Sequence, residues 1–157
     1  MSTVSFSIPI LSIPLYYILA AFPHGWAVVK ASKGDLKQHD NRNPKATSYT
    51  ENLKKRLSAR EFAAFERAES CHRNHLENMP LFVATIFAGI LAESRVGEDG
   101  IGLSNFAVGW MFIRILYTAN YLTTETRAWS HARSVLYFAG TIWSFVILGR
   151  AAWVLGN

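Results

Sequence analysis

The residues best equipped for chemistry sit in a run that turns from charged to apolar. Glu66-Arg67-Ala68-Glu69-Ser70-Cys71-His72-Arg73-Asn74-His75-Leu76-Glu77-Asn78-Met79-Pro80-Leu81-Phe82 continues without a break into the apolar stretch Val83 to Ala92. Arg73 and Asn74 stand four and three residues before Glu77, so helical spacing can bring all three onto one face. Two further sets follow downstream. Arg114, Tyr117, Asn120 and Tyr121 recur at helical spacing, and Arg133 stands beside Ser134 and four residues before Tyr137. Ionisable side chains at the edge of a membrane span are expensive to desolvate. They face a bundle interior or a wet cavity, and they point to a functional site by default.

A cavity lined by arginines, tyrosines, one Asn and one Glu suits a small, flexible, anionic ligand that carries an amine and carboxylates. Arginine forks bind carboxylates through paired hydrogen bonds. Glu77 can take an ammonium group, and the tyrosines add stacking area and hydroxyl donors. An arginine beside a thiol stabilises the thiolate, which is the nucleophilic form. Glutathione meets each of these demands. Plainer readings stand beside this one. Arg67 and Glu66 also suit a solvated helix start, and Arg73 with Glu77 suits an intrahelical pair. Arg114 and Arg150 suit snorkelling at span ends. Tyr117, Tyr121 and Tyr137 suit an interfacial belt, as do Trp26, Trp110, Trp129 and Trp153.

The elements that position these residues read as one domain, 1–157, with spans near 4–30, 60–93, 103–123 and 132–155. Val4 to Val29 contains no Asp, Glu, Lys or Arg, and about 20 apolar residues suffice to cross the hydrocarbon core. It reads as a retained span and not a signal peptide, because Met1-Ser2-Thr3 carries no positive charge and Pro9, Pro14 and Pro23 interrupt the run. The second span is polar at first and apolar after Glu77. Ser58 with Glu61 forms a capping box at its start, and Gly97-Glu98-Asp99-Gly100 forms a turn at its end.

The connection between the first two spans carries Lys33, Lys37, Arg42, Lys45, Lys54, Lys55 and Arg56 against Asp35, Asp40 and Glu51. Arg127 and Arg133 follow the third span. The positive-inside rule places both of these connections in the cytosol and the termini opposite. All three candidate sets then lie at cytosolic helix ends. The alternative is a soluble helical bundle with long apolar faces.

Other function classes find little support. The single cysteine, Cys71, cannot form an internal disulfide and reads as a small packing residue. His72, His75 and Glu77 have no matching ligand pair elsewhere, so no metal site is expected. The formal charge of +5 comes from basic residues between spans without interleaved aromatics, which argues against nucleic acid. There is no glycine-rich phosphate loop and no GxSxG elbow.

Arg73-Asn74-His75-Leu76-Glu77-Asn78-Met79-Pro80-Leu81-Phe82 resembles the second-helix motif of the MAPEG family, the membrane-associated proteins in eicosanoid and glutathione metabolism. Arg114 to Tyr121 and Arg133-Ser134-Val135-Leu136-Tyr137 resemble third- and fourth-helix segments of its prostaglandin E synthase and microsomal glutathione transferase branch. His39-Asp40-Asn41-Arg42-Asn43-Pro44 is similar to a loop of microbial and fungal members. The resemblance implies an all-α, integral membrane four-helix bundle, assembled as a homotrimer in an endomembrane or a bacterial inner membrane. It implies glutathione bound near the cytosolic face between subunits, and a lipophilic electrophile arriving from the bilayer. By residue matching, Arg73, Asn74, Glu77 and Tyr121 would bind glutathione; Arg67, Arg114, Tyr117 and Tyr137 are further candidates for lining the same pocket. Arg133 would stabilise the thiolate, with Ser134 beside it. Conjugation, peroxide reduction and isomerisation all start from that thiolate.

The chain also departs from the family pattern. Ser70 stands where many members carry Arg, Tyr117 replaces a His, and the loop between Tyr121 and Arg133 is longer than in the prostaglandin branch. The family also has a member that does no catalysis, so a lipid-binding scaffold is the competing expectation.

Overall fold

A computed structural model describes residues 6–35, 37, 42–43 and 46–157, with the backbone alone at 127 and 128. Met1-Ser2-Thr3, Asp40, Lys45 and most of the 39–44 loop motif lie outside the described residues. Five helices follow in order: α1 Ser7–Ala31, α2 Thr47–Arg56, α3 Ala59–Val96, α4 Leu103–Thr123 and α5 Arg127–Gly156. No strand occurs among the described residues. The four-helix expectation is therefore corrected to five. Four long helices form the bundle, and α2 is an extra helix inside the first connection. Its residues are nearly all polar, so sequence periodicity conceals it. It is held by Leu53, which is buried with Ala27, Ala31, Leu57, Phe62, Phe65 and Ala68.

The four-span expectation also changes. Among the described residues, three helices are long and apolar enough to cross a membrane: Ser7–Ala31, Ala59–Val96, and Trp129–Gly156 within α5. The 21 residues of α4 reach about 31 Å at 1.5 Å per residue, which is long enough to cross. Asn105, Arg114 and Asn120 keep its mean apolarity lower. Arg114 is turned inward, buried with Tyr117 and Thr118, while Val108, Phe112, Ile115 and Leu116 are exposed, as is Asn105.

Local sequence explains each helix. α1 continues through Pro14 and Pro23, as helices in lipid can when side chains and neighbouring helices satisfy the freed backbone. Arg56 ties α2 to the end of α1, its Nη2 donating to the Ala31 carbonyl at 2.6 Å. α3 starts at the capping box expected of Ser58 and Glu61: the Ser58 N–H donates to the Glu61 carboxylate at 2.8 Å, and the Glu61 N–H donates back to Ser58 Oγ at 3.3 Å. With 38 residues, α3 extends about 57 Å, nearly twice the ~30 Å hydrocarbon thickness. Its polar first half therefore projects beyond the apolar layer.

The bundle packs around α3, which touches every other helix. Tyr16, Phe82, Ile86, Phe106, Trp110 and Ile147 form the buried core. The rings of Phe82 and Trp110 stack at 5.1 Å, and Tyr16 meets both edge-on. Trp110 was expected in an interfacial belt but is fully buried here, whereas Trp129 and Trp153 are exposed. Helix approach is close where glycine faces a large side chain. A Cβ on Gly109 would strike the Trp143 ring, and one on Gly89 would sit 2.5 Å from Leu103.

The end of the bundle away from the first connection is closed by Glu93. Its buried carboxylate accepts from the Ile101 and Leu103 N–H groups at 3.4 and 3.1 Å, and so caps α4. Left-handed backbone at Gly97 and Gly102 shapes the turn. Arg150 donates to the Ile101 carbonyl at 3.0 Å across the same turn.

Candidate functional site

The most unusual group in the bundle is Arg114. Its side chain is fully buried, and its guanidinium lies over Trp110 at 4.6 Å, Tyr117 at 5.3 Å and Tyr137 at 5.9 Å. Trp110 and Tyr117 are its neighbours one turn away on α4, and Tyr137 comes from α5. Nη1 donates to Asn74 Oδ1 at 3.1 Å, while Nε and Nη2 have no acceptor among the described residues. Asn74 is itself steadied by Asn78, whose Nδ2 donates to the Asn74 carbonyl at 2.8 Å. Aromatic faces support a cation electrostatically. They do not accept the two in-plane N–H groups, which are left without an acceptor among the described residues. The snorkelling alternative for Arg114 does not describe this geometry.

Tyr117 continues the cluster toward the end of α4. Its ring lies 5.1 Å from Tyr121, and the Arg133 guanidinium stacks over Tyr121 at 4.3 Å. Arg133 reaches across from α5, so the two sequence sets meet. Asn120 joins them, donating from Nδ2 to the Trp129 carbonyl at 3.3 Å while its buried Oδ1 has no partner among the described residues. Beneath lies a hydrogen-bonded network. Thr118 Oγ1 donates to the Arg114 carbonyl at 2.8 Å, so its oxygen must accept from His75 Nε2 at 2.9 Å. The Nδ1 of His75 faces the Tyr16 hydroxyl at 3.3 Å. Cys71 is buried beside this network, which suits packing.

Arg67 takes a different partner. Its Nη2 lies 3.7 Å from Glu125 Oε1, and Arg60 Nε lies 3.1 Å from the same oxygen. Glu125 sits in the connection between α4 and α5, so this pair of arginines fastens that connection to the projecting half of α3. Arg67 Nε is buried without a partner among the described residues.

Arg73, Glu77 and Ser134 are exposed on the bundle surface. The single face expected for Arg73, Asn74 and Glu77 is divided: Asn74 turns toward α4, while Arg73 and Glu77 continue an exposed stripe with Glu66 and Ser70. Among the described residues, no ion pair joins Arg73 to Glu77. Arg73 instead lines a cavity of about 680 Å³ between α1, α2 and α3, shared with His24, Glu66, Glu69 and His72. There His24 Nδ1 meets Glu69 Oε1 at 2.7 Å, and His72 Nδ1 donates to the Ala20 carbonyl at 2.7 Å. Among the described residues, no three His, Cys, Asp or Glu side chains converge to hold a metal.

The family model of the MAPEG family matches residues 10–153, nearly the whole chain. The chain belongs to the MAPEG family. No curated protein and no solved structure shows a significant match to it. MAPEG membership and three membrane-length apolar helices together make it a multi-pass membrane protein. The MAPEG family includes glutathione transferases and related enzymes as well as non-catalytic members. Sequence reasoning missed several contributors to the MAPEG bundle's polar end: Trp110 beneath Arg114, Thr118 and His75 behind it, and Glu125 on Arg67. Spacing offered a signal for Trp110 and Thr118, which stand four residues either side of Arg114. Glu125 had none, because its partners are over fifty residues away in sequence.

Proposed function

We propose that this protein is a membrane-bound, glutathione-dependent enzyme that acts on lipophilic electrophiles from the bilayer. The observation that carries the reading is the buried Arg114 guanidinium with two unpartnered donors. A buried charge is strongly unfavourable unless paired and hydrogen-bonded, and a ligand carboxylate supplies what Nε and Nη2 lack. Bound glutathione would supply a thiolate nucleophile. Asn74 fixes the direction of the Arg114 fork, and Tyr117 and Tyr137 wall it. Arg133, held over the Tyr121 ring, is the cation assigned to stabilise the sulfur, with Ser134 as a neighbouring hydroxyl.

Arg73 and Glu77 need a further partner, since charged side chains on the outside of a bundle near the apolar layer are costly. A second subunit packed on the exposed α3 stripe meets that need, so the working assembly is a homotrimer with the ligand between subunits. The basic connection supports a site on the cytosolic side of an endomembrane, or of the inner membrane in a bacterium. The test is the ultraviolet absorbance of bound thiolate in detergent-purified wild type and Arg133→Ala. A signal in wild type that vanishes in the variant supports the enzyme. Absence of glutathione binding in wild type supports the lipid-binding scaffold instead.

A further inference from the structure

Arg67 stands one turn before Cys71 and two turns before Asn74, on the same face of α3. Its side chain is only 20% exposed, and its Nε has no acceptor among the described residues. The carboxylate it faces, Glu125, stays 3.7 Å from Nη2, which is beyond hydrogen-bond distance. The same Glu125 oxygen accepts a hydrogen bond from Arg60 Nε at 3.1 Å, and the Arg60 side chain is 83% exposed. Glu125 therefore lends Arg67 a counter-charge without filling its fork. It lies in the short connection between Thr123 and Arg127, four residues after Tyr121 and eight before Arg133.

We infer that Glu125 is a place-holder at Arg67, displaced toward Arg60 when a carboxylate of the ligand takes the Arg67 fork. The inference rests on the glutathione reading of the Arg114 cluster. Arg67 lies seven residues before Asn74, the partner of Arg114. That is about 10 Å along α3 at 1.5 Å per residue. An extended tripeptide spans about 10 Å, and glutathione carries a carboxylate at each end. With one end at Arg114, the other reaches Arg67, where Nε and Nη2 offer the paired hydrogen bonds that suit a carboxylate. Two carboxylates at one guanidinium repel each other. Glu125 then swings outward, and the exposed Arg60 side chain can follow it. The α4–α5 connection keeps only this outer tie while the ligand is bound.

The test is glutathione titration of the full chain in neutral detergent, as wild type, Glu125→Gln, Arg60→Gln and the double variant. Glu125→Gln should tighten binding about threefold, the scale of an exposed ion pair. Arg60→Gln leaves Glu125 to Arg67 alone and should weaken binding by a similar factor. In the Glu125→Gln background, Arg60→Gln should change nothing, because no carboxylate remains to be drawn aside. Additive effects of the two substitutions would overturn the place-holder in favour of a diffuse surface charge. Unchanged affinity in Glu125→Gln would overturn it as well. Hydrogen exchange gives a second reading: glutathione should speed exchange of the 124–126 amides in wild type and not in Glu125→Gln. Slower exchange in liganded wild type would overturn the release. Absence of glutathione binding in all four proteins would instead overturn the enzyme reading itself.

Discussion

Asn74 Oδ1 accepts a hydrogen bond from Arg114 Nη1 at 3.1 Å, joining α3 to α4 through two side chains forty residues apart. The bond orients a guanidinium whose other two in-plane edges face no acceptor. Asn74→Ala should therefore weaken glutathione binding without unfolding the bundle. The expected loss is about tenfold or more, since one charge-assisted hydrogen bond is worth about 1.5–3 kcal/mol. Isothermal titration of the detergent-purified variant measures it, and unchanged affinity would remove Asn74 from the site.

Arg133 depends on the Tyr121 ring for its position, at 4.3 Å. Tyr121→Leu keeps apolar bulk and removes the π face, which contributes about 0.5–2 kcal/mol to such a contact. The bound-thiolate absorbance should then shift its midpoint to higher pH while glutathione affinity at high pH stays close to wild type. Loss of affinity at every pH would mean that Tyr121 contacts the ligand directly.

The contrast between these two residues shows what could be read in advance. Tyr121 and Arg133 were legible because each sits in a helical repeat of polar side chains within an apolar run. The four long helices were legible for the same reason of periodicity. Arg73 and Asn74 illustrate the limit. Adjacent helical residues point about 100° apart, so only the neighbouring helix decides which turns inward. Here α4 offers Arg114 to Asn74, and Arg73 is left facing α1 and α2. α2 was illegible because only Tyr49 and Leu53, one turn apart, face the core from an otherwise polar helix, and two positions are too few for a period to stand out. Glu125 escaped notice because its arginine partners are brought near only by the fold.

His75 satisfies both ring nitrogens inside the bundle, against Thr118 and Tyr16. His75→Leu preserves volume and breaks both contacts. Stability should fall by about 1–2 kcal/mol, the net worth of such hydrogen bonds. Denaturant unfolding in mild detergent reads the change, and an unaltered midpoint would show that the network adds nothing to the packing.

Glu93 accepts from two backbone N–H groups at the start of α4. Glu93→Leu leaves both donors buried and should destabilise the bundle by about 2–3 kcal/mol, whereas Glu93→Gln retains an acceptor and should lose less than half of that. The two midpoints compared side by side test this. Equal loss in both variants would assign the effect to charge and not to capping.

Cys71 is enclosed by the bundle. A maleimide should label it slowly in the folded protein and rapidly after unfolding in denaturant. Fast labelling of the folded chain would mean that α1 and α3 separate readily around it.

The two ends of the bundle are fastened by different means. At one end a buried carboxylate grips two backbone amides, out of reach of water and salt. At the other, the α4–α5 connection is held by Glu125 against two arginines, and exposed ion pairs contribute little and are screened. Rigidity therefore runs downhill along the helices, as in a pair of tongs riveted at the Glu93 turn. Thermal breathing is therefore expected to concentrate at the mouth beside Arg67, Tyr121 and Arg133. A bulky guest can thus enter and leave by parting the helix tips while the rivet stays shut.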